Sequence, residues 1–147
     1  MVKRKSDRIK LLQKLATQYE QIAAKDLGRS ASNLLAQTER LEQLKTFRIE
    51  YTNQFSLAGQ QGMDVRAMMA FQNFLTQLDT AIAQQQQTVN AAQNDKERKK
   101  TTWEGKHITT RVYDKTLEKT LSKETRQDER KQQITADDRA QHQKQNK

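Results

Sequence analysis

From Met68 onward, one stripe of positions returns at intervals of three and four residues. It runs through Met68, Phe71, Leu75, Leu78, Ile82, Gln85, Val89, Ala92, Lys96, Lys99, Trp103, Lys106, Thr110, Tyr113 and Leu117. Ten of these fifteen positions are apolar, counting Tyr113. Such spacing keeps one stripe on one face of a helix, and a heptad stripe needs a partner helix to cover it. A strand, whose side chains alternate with period two, does not fit it.

The first half carries a looser stripe: Leu12, Leu15, Tyr19 and Ile22, then Leu27, Leu34, Leu41, Leu44, Phe47, Tyr51 and Phe55. The step from Ile22 to Leu27 breaks the phase, which predicts a stutter with local unwinding of the supercoil. Between the halves, Ser56 to Asp64 contains Gly59 and Gly62, which permit a chain reversal. Asp64 is placed to cap the next helix by accepting free backbone N–H bonds.

These signals predict an all-α fold, a long antiparallel two-helix coiled-coil hairpin with unequal arms, forming a single domain over residues 1–147. Helix 1 is expected at about 3–57, the turn at about 58–63 and helix 2 at about 64–140, followed by a frayed tail. With a pivot near residue 60, the numbers of facing residues add to about 120. Phe47, Tyr51 and Phe55 then meet Phe71, Met68 and Met63, Gly28 faces Ala91 and Ala92, and Glu20 lies near Lys99. The last 25 or so residues have no partner within the chain and are poor in apolar groups, so they should fray.

Composition agrees with one narrow seam. Only 33% of residues are hydrophobic and 31% are charged, and a heptad seam needs only about two apolar residues in seven. The absence of proline leaves the helical ladder uninterrupted. There is no cysteine, so disulfides and thiolate metal sites are excluded. No apolar run approaches the roughly 20 residues of a membrane span, and the basic start lacks the apolar stretch of a signal peptide. A cytoplasmic protein is expected.

The net charge of +9 raises nucleic acid as a partner. Residues 1–14 hold six basic groups and one acid, but residues 118–147 are mixed. A dedicated duplex-binding face would be continuous and free of interspersed acids, so nucleic acid is not the expected partner. No catalytic or metal constellation is present: His107 and His142 lack metal-ligand spacing, and Asp137-Asp138 reads as a solvated helix face. The expectation is a non-enzyme with no cofactor and no small-molecule substrate.

One feature exceeds what a single seam requires. Phe74, Leu78, Ala81 and Gln85 form a second stripe beside the seam of helix 2, and Leu44, Phe47 and Tyr51 do the same in helix 1. This surplus is either a wide core near the turn or a docking strip for another protein with aromatic anchors.

At these residues the sequence resembles a known family. Arg40-Leu41-Glu42-Gln43-Leu44-Lys45-Thr46-Phe47-Arg48-Ile49-Glu50-Tyr51, the glycine-containing turn, and Phe71-Gln72-Asn73-Phe74-Leu75-Thr76-Gln77-Leu78-Asp79-Thr80-Ala81-Ile82 resemble the bacterial flagellar export protein FliJ. The likeness runs in register from about residue 34 to 92. It implies a fold similar to the gamma-subunit stalk of F-type ATP synthase and a non-enzymatic role in flagellar type III export. The implied partners are the export ATPase hexamer, the cytoplasmic domain of the export gate and chaperones of late substrates. The implied location is the cytoplasmic face of the inner membrane near the flagellar base, with peripheral membrane association through those partners. It further implies gate binding through Leu44, Phe47, Tyr51, Phe74, Leu78, Ala81 and Gln85. The family pattern has glutamine where Arg40 stands and histidine where Gln85 stands. Entry of the paired ends into the ATPase ring would engage Arg4, Arg8, Leu12, Leu15, Trp103, Tyr113 and Leu117. A basic nucleic-acid-associated coiled coil and the equivalent stalk of a virulence secretion system are the alternatives.

Overall fold

With no proline and an abundance of Gln, Lys, Arg, Glu and Ala, this chain favours long helices. The computed structural model describes residues 4–145. It contains α1 (Lys5–Gln60) and α2 (Val65–Gln145), packed against each other as an all-α two-helix hairpin. The arms are unequal as expected, with 56 and 81 residues. Each helix extends beyond its predicted C-terminus, and the reversal is confined to residues 61–64. Gly62 adopts φ +94°, a conformation that costs glycine little because it has no Cβ. Asp64 is the predicted cap: its Oδ1 accepts the Ala67 N–H at 2.7 Å, and its carbonyl accepts the Met68 N–H at 3.1 Å.

Contacts group the helical segments into two units. A central unit spans Ala23–Trp103, and a terminal unit is made of the chain up to Ile22 and from Glu104 onward.

In the central unit, Ala23, Leu41, Phe71, Leu78 and Ala92 are buried, and Leu27, Leu34, Leu44, Tyr51, Phe55, Leu75, Ile82 and Val89 are half-buried. The seam of α2 is the predicted one from Phe71 onward, but Met68, expected to begin it, is 43% exposed because it lies in the first turn of α2. The pairing, however, is shifted. Phe55 stacks on Phe71 with centroids 3.5 Å apart, where Met63 was expected. Tyr51 meets Phe71 at 4.8 Å and Phe74 at 4.6 Å, and Phe47 meets the edge of Phe74 at 6.2 Å. Ser30 facing Asp95 and Tyr51 facing Phe74 each add to 125, not 120. The cause is the turn: α1 continues to Gln60, so the reversal is centred past residue 62 and every partner moves accordingly. Gly28 is exposed and nothing lies within 4 Å of a Cβ built on it, so no close backbone approach depends on it.

Polar seam positions find partners across the helices. The Ser30 hydroxyl donates to Asp95 Oδ2 at 2.6 Å, and Gln85 donates from Nε2 to both the carbonyl and Oε1 of Gln37 at 2.9 Å. No buried side-chain nitrogen or oxygen among the described residues lacks a partner. At the rim, the Arg48 guanidinium forks onto the Asp79 carboxylate through Nε and Nη2.

In the terminal unit the seam of α1 differs from its predicted course. Ser6, Ile9 and Ala16 are buried, and Gln13 and Glu20 are half-buried. Leu12, Leu15, Tyr19 and Ile22, one residue earlier at each step, are 41–57% exposed. No stutter follows Ile22, because the covered positions of α1 pass from buried Ala16 through half-buried Glu20 to buried Ala23 at unbroken heptad spacing. Burying the leucine stripe instead would require rotating the helix by about 100°, one residue's turn. The cross-helix polar bonds oppose that rotation: Gln13 Nε2 donates to Asp114 Oδ1, and the orphan N–H of Ser6 donates to Glu124 Oε1 at 3.2 Å.

On α2, His107 takes the seam position expected for Lys106, followed by Thr110, Tyr113, Leu117, Thr120 and Glu124. Glu20 accordingly faces His107, not Lys99. Pairing extends to Asp128, further along α2 than expected; residues 131–145 remain helical and are exposed throughout.

Candidate protein-interaction site

The expected gate-binding residues all lie in the central unit, and their environments differ. Phe47, Tyr51 and Phe74 share the aromatic cluster, with Phe47 46% and Phe74 38% exposed. Leu44 and Ala81 are half-buried beside them. Leu78 is buried in the seam, and the amide of Gln85 is held by Gln37. The exposed part of this set is therefore narrower than the seven residues suggest, and its most accessible side chains are the two phenylalanines. Two further residues belong to it: Phe55 and Phe71, with Met63, Ala67 and Ala70, line an open groove of about 540 Å³ beside Tyr51 and Phe74. Their heptad spacing marks Phe55 and Phe71 as seam residues, and only the shifted pairing shows that they also form the floor of a groove.

Of the residues expected at the ATPase-facing end, Trp103 lies in the central unit and the other six in the terminal unit. Leu12, Leu15 and Tyr113 are brought together. With Ala16, Tyr19, Lys106 and Thr109 they line an apolar groove of about 220 Å³. Lys106 Nζ stands 5.5 Å from the centroid of the Tyr19 ring, a cation–π contact at the mouth of this groove. Leu117 is half-buried in the seam. Arg8 borders the adjoining surface with Asp7, Lys10, Leu11, Leu12 and Lys14. Arg4 is engaged within the chain: its guanidinium donates to both oxygens of Asp128 at 3.1 and 3.3 Å and lies 3.9 Å from Glu124. Tyr19 and Ile22, read in the sequence as seam residues, belong to this exposed surface.

Electrostatics within the two units stay modest and local. His107 Nδ1 donates to Glu20 Oε1 at 2.7 Å, and this bond, with a second from Thr110, holds the Glu20 carboxyl below its ordinary range. The Asp79 carboxyl is lowered by its bond from Arg48, and that of Asp95 chiefly by its bond from Ser30. No group of three or more histidine, cysteine, aspartate or glutamate residues among those described is arranged to hold a metal. No helix among them is long and apolar enough to cross a membrane.

Comparison with known families gives one result. The model of the family described as Flagellar FliJ protein matches residues 5–147. Neither curated proteins nor solved structures returned a match.

Proposed function

The chain belongs to the flagellar FliJ family, and from that premise we propose that it is the central stalk of a flagellar export ATPase ring, linking the ring to the export gate and to chaperones of late substrates. The family itself makes the chain a flagellar-type export component of a non-catalytic kind. The observation that carries the finer reading is the family match over residues 5–147 on a chain folded as a two-helix hairpin. In this reading the terminal unit enters the ring, presenting Arg8, Lys14 and the exposed Leu12 and Leu15. The aromatic face of the central unit, through Phe47 and Phe74, meets the cytoplasmic domain of the gate. The protein then works at the cytoplasmic face of the membrane, held there by its partners.

Co-purification with a flagellar export ATPase hexamer tests the first part. The wild-type chain should be retained by the ring, and Arg8→Glu with Lys14→Glu should weaken retention; retention unaffected by both reversals would refute a charge-guided fit. For the gate, Phe47→Ala with Phe74→Ala changes only half-exposed side chains and should leave the hairpin folded. Unchanged gate binding and motility in that variant would rule the aromatic face out.

A further inference from the structure

Leu12, Leu15, Tyr19 and Ile22 keep the three-and-four spacing of a coiled-coil stripe, yet the partner helix does not cover them. They are 44%, 41%, 57% and 57% exposed, and Leu11 beside them is 57% exposed. Val112 on α2 adds a further exposed apolar side chain, at 56%. A stripe with heptad spacing is complementary to another helix, because knobs at three-and-four intervals seat into the matching holes of a third strand. The groove between Leu15, Tyr19 and Tyr113 is concave, as a docked helix needs.

Charge specifies the occupant further. Residues 7–22 and 105–119 together carry seven basic and four acidic side chains. Two of those acids are already occupied, Glu20 by His107 and Asp114 by Gln13. The groove itself is lined by one charged residue, Lys106, and no acid. A second copy of this chain, itself at +9, would bring like charge to the same place. We propose that this face docks an acidic amphipathic helix of a partner protein, which completes a three-helix layer with its apolar stripe on Leu12, Leu15 and Tyr19 and its carboxylates near Arg8, Lys14 and Lys106.

This goes beyond the stalk reading and does not depend on it. A docked helix and an enclosing ring would use one face of the terminal unit, so the two states would exclude each other there.

The test uses the full chain and a fluorescein-labelled synthetic peptide of four heptads. The peptide carries leucine at the two apolar positions, glutamate at the flanking ones and alanine elsewhere. Fluorescence anisotropy at physiological ionic strength should show saturable binding. Leu15→Gln with Tyr19→Gln should weaken it by about tenfold or more, and Lys106→Glu should weaken it as well. A scrambled peptide of the same composition, or one with lysine in place of glutamate, should bind at least about tenfold more weakly. Equal binding of either control, or full binding by the double variant, overturns the proposal. So does a large drop in the melting temperature of the double variant, which would make the stripe part of the hairpin's own core. Concentration-dependent mass relieved by the same variant would identify a second copy as the occupant. Co-sedimentation with phosphatidylserine vesicles, lost in that variant and without peptide binding, would identify a lipid surface. Either result sinks the acidic-helix assignment.

Discussion

His107 donates a 2.7 Å hydrogen bond to Glu20 across the seam of the terminal unit, at a level where a pair of apolar side chains would be the usual filling. The imidazole and carboxylate satisfy each other there, and the lowered Glu20 carboxyl makes this layer sensitive to acid.

The sign follows from the direction of the shift. The Glu20 carboxyl is lowered by the hydrogen bond from His107 and next by that from Thr110, so its ionised form stabilises the fold above the ordinary value of 4.5. That contribution is lost as pH falls through the lower, folded value. The Asp79 and Asp95 carboxyls, lowered by Arg48 and Ser30, act the same way from an ordinary value of 3.8. The melting temperature should therefore fall with acid below pH 4.5, and Glu20→Gln should blunt the first part of that fall. Circular dichroism melts across pH 3 to 7 measure it. An unaltered profile in the variant would assign the acid loss elsewhere.

Phe71 is buried between Tyr51 and Phe55, whereas Phe47 is 46% exposed. Phe71→Ala should cost about 3–5 kcal/mol, the range for large-to-small changes in a filled core. Phe47→Ala should cost clearly less, because much of its ring already meets water. Urea denaturation of both variants gives the comparison, and equal losses would contradict the burial difference.

Gly62 and Gly28 should respond with opposite signs. At Gly62, φ is +94°, and an alanine there would carry about 1–3 kcal/mol of backbone strain. At Gly28, within α1, an added methyl meets nothing within 4 Å, so alanine should stabilise by about 0.5–1 kcal/mol. Thermal melts of the two single variants read both effects. A loss at Gly28 would mean that the space there is needed.

Asp64→Ala removes the acceptor that holds the Ala67 N–H at the start of α2. The expected loss is about 1 kcal/mol, and Asp64→Asn should restore most of it, since asparagine caps nearly as well. Chemical denaturation of the pair separates a cap from a charge effect: an asparagine variant as weak as the alanine one would favour charge.

Much of the hairpin could be read directly from residue spacing. The seam of α2 was legible because Phe71, Leu75, Leu78, Ile82, Val89 and Ala92 keep apolar side chains at steps of three and four, interrupted only by Gln85. The turn was legible because glycine and a capping aspartate have local chemistry. The seam of α1 was obscured in the terminal segment. Counting back by sevens from Leu44 reaches Gln37, Ser30, Ala23 and Ala16, small or polar residues that hydrophobicity overlooks, before it meets Ile9. Beside it the more hydrophobic series Leu12, Leu15, Tyr19 and Ile22 imitates a seam. For the interaction faces, the leftover residues were visible as a surplus, but Leu78 and Phe74 could not be told apart until one proved buried and the other half-exposed.

Taken alone, the sequence determined two helices, a reversal in the glycine-containing segment between them, the cap at Asp64 and the face of α2 that turns inward beyond Phe71. Helix propensity, capping and periodicity are properties of one segment and its neighbours. Only the tertiary structure decided which of two stripes on α1 is covered and which residue faces which. That choice depends on both helices at once. Ala16 and Ala23 are buried, and Gln13, Glu20 and Ser30 find Asp114, His107 and Asp95 at matching levels. The leucine stripe cannot be covered without rotating those partners apart, so it remains at the surface.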